Sequence, residues 1–159
     1  QDVGQSGEAL GLFDRYVPLY RAIAAAGTDE LPTALLGHGS ALVGEREYDR
    51  AIPLILEALE NRRKTMPPGS SRIAAVESLL GEALAGQGQG QNLAQAETLL
   101  VGSATVVESA RDANARRINA VFDRVIAFYD RTRQPDKTAA WRERKARALK
   151  SLATPPPKN

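Results

Sequence analysis

The stretch Asp14-Arg15-Tyr16-Val17-Pro18-Leu19-Tyr20 returns 35 residues later as Asp49-Arg50-Ala51-Ile52-Pro53-Leu54-Ile55, with Asp, Arg, Pro and Leu unchanged. A period of this length is typical of stacked helical hairpins, in which each hairpin forms one repeat unit. A single hairpin cannot bury its apolar face alone, so neighbouring hairpins must pack together. The repeat therefore predicts an all-α chain of similar units, and such arrays generally bind other molecules without catalysing reactions.

Two weaker copies follow the first pair, at Ala94–Leu100 and Asp136–Arg142, so the spacings become 35, 45 and 42 residues. Uneven spacing predicts loop insertions, which we place at Met66-Pro67-Pro68-Gly69-Ser70 and Gly86-Gln87-Gly88-Gln89-Gly90-Gln91. We expect each copy to lie near the start of a helix. Pro53 is predicted in the first turn, where a missing N–H does no harm.

Apolar residues that recur at spacings of three and four predict the helices. The predicted helices cover about 8–26, 35–42 between Pro32 and Gly44, 49–64, 72–85, 93–111 and 115–131, and a last helix follows a turn at 134–136 and ends near residue 152. Ser71, Asn92 and Asn114 are the predicted N-caps. This reading gives three hairpins and an extra N-terminal helix. We expect a flexible N-terminus at residues 1–7, a helical array at 8–152 and a disordered Pro-rich tail at 153–159.

Several residues match the packing pattern of a known helical repeat. They are Gly39, Leu42, Ala51 and Ala58 in the first hairpin, and Gly81, Leu84 and Ala96 in the second. In these residues the chain resembles the tetratricopeptide repeat (TPR). The third unit departs from the pattern, with Ile126 for the small residue and Thr138 for Ala. The resemblance implies a right-handed α-solenoid of about three TPR-like repeats that binds a protein or peptide partner.

A narrower similarity is to the long-linker arrays found C-terminal to bacterial serine/threonine protein kinases. It lies in Arg62–Gly69, Arg72-Ile73-Ala74, Glu77–Gly81 and Arg133–Arg142. This resemblance covers roughly residues 31 to 147 and implies a scaffold or adaptor in bacterial signalling. The chain contains no kinase motif, so the resemblance carries no phosphotransfer activity.

The resemblance also implies a partner-binding groove, because such arrays bind peptides on the concave surface formed by the first helix of each hairpin. The positions that map to this groove are Thr33, Leu36, Ser40 and Val43, then Ser78, Glu82 and Ala85, then Asp123, Ala127, Asp130 and Arg131. We expect a surface that is neutral at its start and mixed to acidic toward its end. The Lys and Asn pattern with which some family members grip a terminal carboxylate is absent at Leu36 and Ser40.

The N-terminal helix suggests an alternative role. Its face formed by Leu12, Tyr16, Leu19, Tyr20 and Ile23 has no preceding helix to cover it in this sequence. Exposed apolar area of that kind often marks an interface. The alternative is therefore a structural subunit that packs permanently in a larger assembly through this helix.

The sequence offers little for catalysis or for cofactor binding. It has one histidine, His38, and no cysteine, so no nucleophile and base can be paired and we expect no enzyme activity, metal, cofactor or small-molecule substrate. We expect His38 to be packed, because it stands where the family usually has a leucine. The Gly-Gln run after Ala85 lacks the Lys and Ser or Thr of a phosphate-binding loop, so we interpret it as a hairpin loop.

Two features of the sequence each allow two interpretations: the basic residues of the last helix and the aromatic residues of the last hairpin. The net charge of +2 argues against nucleic acid as the default partner, although residues 141–159 contain six basic residues and one acidic residue. That basic helix could meet an acidic partner, RNA or anionic lipid, but a solvated capping helix is preferred. Phe122, Phe128, Tyr129 and Trp141 are expected to form the core of the last hairpin, with a recognition pocket as the alternative.

No apolar run approaches the roughly 20 residues that a membrane-spanning helix needs. We therefore expect a soluble chain without a transmembrane segment. The sequence does not identify a compartment. A cytoplasmic location is preferred, whereas a processed N-terminus at Gln1 would indicate the periplasm or secretion.

Overall fold

The computed structural model describes residues 3–23, 30–88 and 90–153. Seven α-helices account for most of these residues and no strand occurs among them, so the prediction of an all-α fold is confirmed. The helices are α1 (Val3–Ile23), α2 (Glu30–Gly44), α3 (Tyr48–Thr65), α4 (Ser71–Gln87), α5 (Gly90–Ser109), α6 (Ala115–Arg131) and α7 (Pro135–Ala153).

Each helix packs against the next one along the chain, from α1 against α2 to α6 against α7. Contacts between non-consecutive helices join α2 to α4 and α4 to α6. The even-numbered helices α2, α4 and α6 therefore lie side by side in one layer. Short connections between consecutive helices keep sequence neighbours together in space.

The predicted N-caps are only partly correct. Asn114 caps α6, where its side chain accepts an N–H of the first turn at 3.0 Å. The N-cap of α4 is Ser70 rather than Ser71, because α4 begins one residue earlier than expected, at Ser71. The prediction for Asn92 is wrong, since α5 begins before it at Gly90.

The two predicted insertions also have different outcomes. Residues 66–70 connect α3 to α4 as a loop, as predicted. The second insertion is much shorter than predicted, because α4 extends to Gln87 and α5 begins at Gly90. Gly88 ends α4 with a φ of 71°, a left-handed conformation that glycine adopts without strain.

The structure at the two ends of the chain is compared with the predicted flexible termini, and the clear difference lies at the N-terminus. Helix α1 begins at Val3 and so includes residues that we assigned to a flexible N-terminus. At the other end Ala153 closes α7, and the rest of the expected Pro-rich tail lies outside the described residues.

The repeated Pro lies inside a helix in both of its first two copies, at Pro18 in α1 and Pro53 in α3. The prediction that Pro53 occupies a first turn is therefore wrong, because α3 already begins at Tyr48. A proline inside a helix has no N–H and so removes one i to i−4 hydrogen bond. For Pro53, the carbonyl that lacks this helical donor is that of Asp49.

The first two hairpins share a close approach between their helices. A Cβ atom built on Gly39 in α2 would lie 2.7 Å from Cγ1 of Ile55 in α3. A Cβ atom built on Gly81 in α4 would lie 2.9 Å from Cγ of Leu100 and 3.2 Å from the carbonyl oxygen of Ala96 in α5. The contacts with Ile55 and Leu100 are shorter than real Cβ contacts, so a larger residue at Gly39 or Gly81 would force neighbouring atoms to shift.

The last hairpin is held by aromatic side chains. Phe122, Phe128, Tyr129 and Trp141 are all buried, as the core interpretation predicted. The rings of Phe122 in α6 and Trp141 in α7 meet edge to face, with their centroids 5.7 Å apart. Leu56 of α3 is 48% exposed.

Candidate arginine-lined cavity

A cavity of about 530 Å³ lies on the layer formed by α2, α4 and α6. Arginines dominate its lining, and they are Arg62, Arg72, Arg116, Arg117 and Arg124. The other lining residues are Thr33, Leu36, Gly37, Ser40, Ala75, Leu79, Asn114 and Ala120. Among the residues that the structure describes, none that lines this cavity is acidic. We call this site the arginine cavity.

Arg62 reaches the arginine cavity from the end of α3 and is only 6% exposed. Its Nη1 donates to the carbonyl oxygen of Arg72 at 3.1 Å, and its Nη2 lies 3.5 Å from Oγ1 of Thr33. The neighbouring Arg63 and Lys64 are exposed and pair with glutamates. Attraction of cations to the C-terminal end of the helix dipole therefore does not account for the inward position of Arg62.

Arg124 connects the arginine cavity to two of the predicted groove residues. Its Nε donates to Oε2 of Glu82 at 2.6 Å, and its Nη1 donates to Oγ of Ser78 at 3.0 Å. The Ser78 hydroxyl in turn donates to the carbonyl oxygen of Ala75 at 2.9 Å. Ser78 is fully buried, so it positions Arg124 and does not itself face a ligand.

Arg117 is held at the start of α6, where its Nη1 donates to the carbonyl oxygen of Asp112 at 2.8 Å. The Asp112 carboxylate caps α4: it accepts the Ser71 N–H and the Ser70 hydroxyl, each at 2.8 Å. Partial burial alone raises the pKa of Asp112, but these hydrogen bonds outweigh it and hold the pKa below its ordinary value. Asp112 has the carboxylate nearest to Arg117 along the chain, and this carboxylate already accepts hydrogen bonds at the start of α4.

The structure brings three of the predicted groove residues together. Thr33, Leu36 and Ser40 all line the arginine cavity from α2. Two more, Ser78 and Glu82, join it through Arg124. The remaining predicted residues do not line it: Val43 and Ala85 are buried, Asp123 pairs with Lys145, and Ala127, Asp130 and Arg131 are exposed elsewhere on α6.

The charge of the site differs from the expectation of a neutral to acidic surface. The family mapping selected a few positions per helix and so omitted Arg72 and Arg116, which stand in the first turns of α4 and α6. A search for basic residues in the first turns of alternate helices would have found both. The observed lining is strongly basic.

In comparisons with known proteins, no protein-family model and no curated protein matches the chain. None of the helices in the described part of the chain is long and apolar enough to cross a membrane. No three His, Asp or Glu side chains among the described residues lie together as a potential metal site.

The basic face of α7 is partly neutralised within the fold. Arg144 pairs with Glu108 of α5 and lies over the ring of Trp141, with Cζ 4.6 Å from the centroid. Lys145 pairs with Asp123 of α6 at 2.7 Å. Arg142 and Arg147 are exposed on the same helix, outside the arginine cavity.

The N-terminal helix presents an apolar stripe. Leu12, Tyr16 and Leu19 are each at least half exposed, whereas Val17 is buried against the core. Tyr20 is half-buried, and the side chain of Ile23 lies outside the described residues. Exposed apolar residues at this spacing occupy one side of α1.

His38 occupies a packed position in α2, as we expected, and the residue is 5% exposed. It borders a smaller pocket of about 310 Å³ that Pro18 and Pro53 also line. The Nε2 atom lies 3.4 Å from Oδ1 of Asp14, the first residue of the repeated stretch. Burial lowers the pKa of His38, and Arg50 and Arg21 add to this, while Asp14 opposes it.

Replacing His38 by leucine is expected to remove part of the loss of stability on acidification. The pKa of His38 is lowered in the folded state, so below about pH 6.5 the unfolded chain binds more protons. The stability that neutral His38 contributes is therefore complete above that pH and is lost as the pH falls through the folded-state pKa. Urea unfolding at pH 7.5 and pH 5 should show a smaller decrease for His38→Leu than for wild type. Equal decreases would contradict the assignment.

Proposed function

We propose that this chain is a protein-protein interaction module that binds a peptide or protein partner on the α2, α4 and α6 layer. In this proposal it is a right-handed α-solenoid of about three TPR-like repeats with an extra N-terminal helix, acting as a scaffold or adaptor without catalysis or cofactor. The glycine crossings at Gly39 and Gly81 support the repeat, since both lie at the family's small-residue position.

One observation supports the position of the proposed binding site. The arginine cavity lies on the surface that the resemblance assigns to the partner, and Thr33, Leu36 and Ser40 are among its lining residues. A cavity of about 530 Å³ falls within the usual range of ligand pockets, roughly 300 to 1,000 Å³. It is therefore large enough to take partner side chains.

A substitution that fills the cavity tests this proposal. Peptides would be selected from a random library on the immobilised full chain, and their footprints mapped by backbone amide chemical shifts. We expect shifts at the arginine cavity and about tenfold weaker binding for Ala120→Trp, because the indole occupies the partner's space. Ala127→Trp is the matched control, since Ala127 is exposed on the same helix and does not line the cavity.

Two results would contradict the proposal. One is a library that yields no peptide bound at the arginine cavity. The other is an equal effect of Ala120→Trp and Ala127→Trp, which would show that the cavity is not where the peptide lies. Circular dichroism of both variants separates loss of binding from loss of the fold.

A second candidate role rests on the exposed stripe formed by Leu12, Tyr16 and Leu19. In this role the chain is a structural subunit that packs permanently in a larger assembly through α1. The chemical-shift map distinguishes the two roles, because selected partners that perturb α1 and leave the arginine cavity unchanged favour the second.

A further inference from the structure

We infer that the apolar stripe of α1, formed by Leu12, Tyr16 and Leu19, is the contact surface of a homodimer in which α1 pairs with α1 of a second copy. This inference rests on the second candidate role under the proposed function, and it names the partner as another copy of this chain. It does not depend on the arginine cavity, whose described lining residues come from other helices.

The exposed large apolar residues of the described chain are concentrated on α1. Leu12, Tyr16 and Leu19 are each at least half exposed, whereas Leu56 in α3 and Leu152 in α7 are exposed singly on separate helices. Single exposed apolar residues are common on protein surfaces, but a contiguous group usually marks a contact surface. The stripe is therefore the apolar surface of this chain that most needs a partner.

The repeat shows what lies on the same face in the later copies. Tyr16 stands 35 residues before Ala51 in the repeated stretch, and Ala96 holds this place in the third copy. Ala51 and Ala96 are fully buried, because Gly39 of α2 and Gly81 of α4 approach their carbonyl oxygens. The position of Tyr16 in α1 is thus one at which a second helix packs in α3 and α5.

The size and spacing of the side chains in the stripe define the kind of helix that fits. Alanine in the later copies lets a glycine-bearing helix approach closely, whereas the ring of Tyr16 keeps a neighbouring helix farther away. Leu12, Tyr16 and Leu19 are spaced four and three residues apart, and Ile23 continues this spacing in the sequence. Alternating spacings of four and three form the seam of a two-stranded coiled coil, in which side chains meet side chains.

A second copy of the chain meets this requirement without any other protein. Both helices of a coiled coil carry the same apolar spacing, and two copies of α1 share it by identity. With 21 residues α1 is about 31 Å long, so the seam has about three heptads. A contact of this length is a small interface, and we therefore expect micromolar affinity.

The last helix of the chain explains why association should stop at two copies. On its surface α7 exposes Arg142, Glu143 and Arg147. Burying these charges under an apolar stripe would be unfavourable, so α1 of one copy does not stack on α7 of the next. Contact between two α1 helices uses the same surface on both copies and therefore closes as a dimer.

The charge beside the stripe favours one direction of pairing. Arg15 is exposed next to Leu12 and Leu19 on the helix surface. In an antiparallel pair with the two stripes centred on each other, the two Arg15 side chains would lie close together and repel. In a parallel pair Arg15 lies beside Tyr20 of the second copy, whose ring can accept a cation. We therefore expect the two α1 helices to run parallel.

Sedimentation equilibrium of the full chain, over about 1 to 200 µM, tests the inference. We expect the average mass to rise from that of the monomer toward twice that value as the concentration increases. The double substitution Leu12→Glu and Leu19→Glu places carboxylates in the seam and should weaken dimerisation at least about tenfold. Leu56→Glu with Leu152→Glu makes the same change at leucines of similar exposure on α3 and α7, and it should change dimerisation less than about twofold.

A cross-link tests the direction of pairing, because the chain has no cysteine of its own. Leu19→Cys should form a disulfide-linked dimer under mild oxidation, since the two copies of residue 19 meet in a parallel seam. Leu152→Cys is the exposed control and should cross-link much more slowly. Dimerisation in which the two variants cross-link equally would overturn the parallel arrangement.

Three results would overturn the inference as a whole. A chain that stays monomeric up to about 200 µM would show that a second copy is not the occupant of the stripe. Equal weakening by the two double variants would place the contact away from α1. Growth of the mass beyond that of the dimer would contradict a closed contact. Circular dichroism of each variant checks the fold, which should be retained because the substituted leucines are exposed.

The inference and the proposed function fail separately. Selected peptides that bind at the arginine cavity of the Leu12→Glu and Leu19→Glu variant would support the first role whatever the oligomeric state. A monomeric chain whose selected partners perturb α1 would keep the second candidate role and overturn the second copy as its partner. A monomeric chain whose selected partners leave both α1 and the arginine cavity unchanged would overturn all three.

Discussion

Replacing Phe122 by alanine is expected to destabilise the folded protein by about 3 to 5 kcal/mol. Phe122 is the largest of the fully buried side chains that the structure describes, and it lies in the middle of α6. The substitution removes a ring from the core and leaves a cavity that the surrounding helices cannot close completely. It also deletes the edge-to-face contact with Trp141, which ties α7 to α6.

Urea unfolding followed by circular dichroism at pH 7.5 measures this loss. Phe122→Leu is the conservative control, and we expect it to cost less because leucine refills most of the space. Leu152→Ala is the exposed control, since Leu152 is 45% exposed, and it should change stability by no more than about 0.5 kcal/mol. A loss below about 1 kcal/mol for Phe122→Ala would show that α6 and α7 do not pack through this ring.

The helices were predictable from sequence where side chains carry a local signal. Asn114 defines the start of α6 because its side chain bonds to the backbone of the next turn, and that chemistry depends only on neighbouring residues. Asn92 has the same side chain but lies inside α5, where it donates to Oε1 of Gln87. Only the packing of α4 and α5 could show that the glycine run between them is nearly absorbed into helices.

Sequence reasoning selected three of the residues that line the arginine cavity, but not the charge of its lining. The resemblance to the repeat family selected Thr33, Leu36 and Ser40 in α2, and all three line the arginine cavity. Arg72 and Arg116 come from the first turns of two other helices, and Arg62 from the end of a third. Their convergence depends on how α2, α3, α4 and α6 pack, which no single helical pattern encodes.

Replacing Gly81 by leucine is expected to destabilise the protein by at least about 2 kcal/mol. Even a Cβ atom would lie 2.9 Å from Cγ of Leu100 and 3.2 Å from the carbonyl oxygen of Ala96. The carbonyl belongs to the backbone of α5 and cannot turn away, so α4 and α5 must separate to admit the side chain. Separation reduces the apolar packing along the whole hairpin.

Gly102→Leu makes the matched control, because nothing lies within 4 Å of a Cβ atom built at that position in α5. Leucine favours a helix over glycine by up to about 1 kcal/mol, so this substitution should stabilise the protein. The midpoints of thermal and urea unfolding should therefore fall for Gly81→Leu and rise for Gly102→Leu. Gly39→Leu should follow Gly81→Leu, since its Cβ atom would lie 2.7 Å from Ile55. A stabilising Gly81→Leu would mean that α4 and α5 do not cross at this glycine.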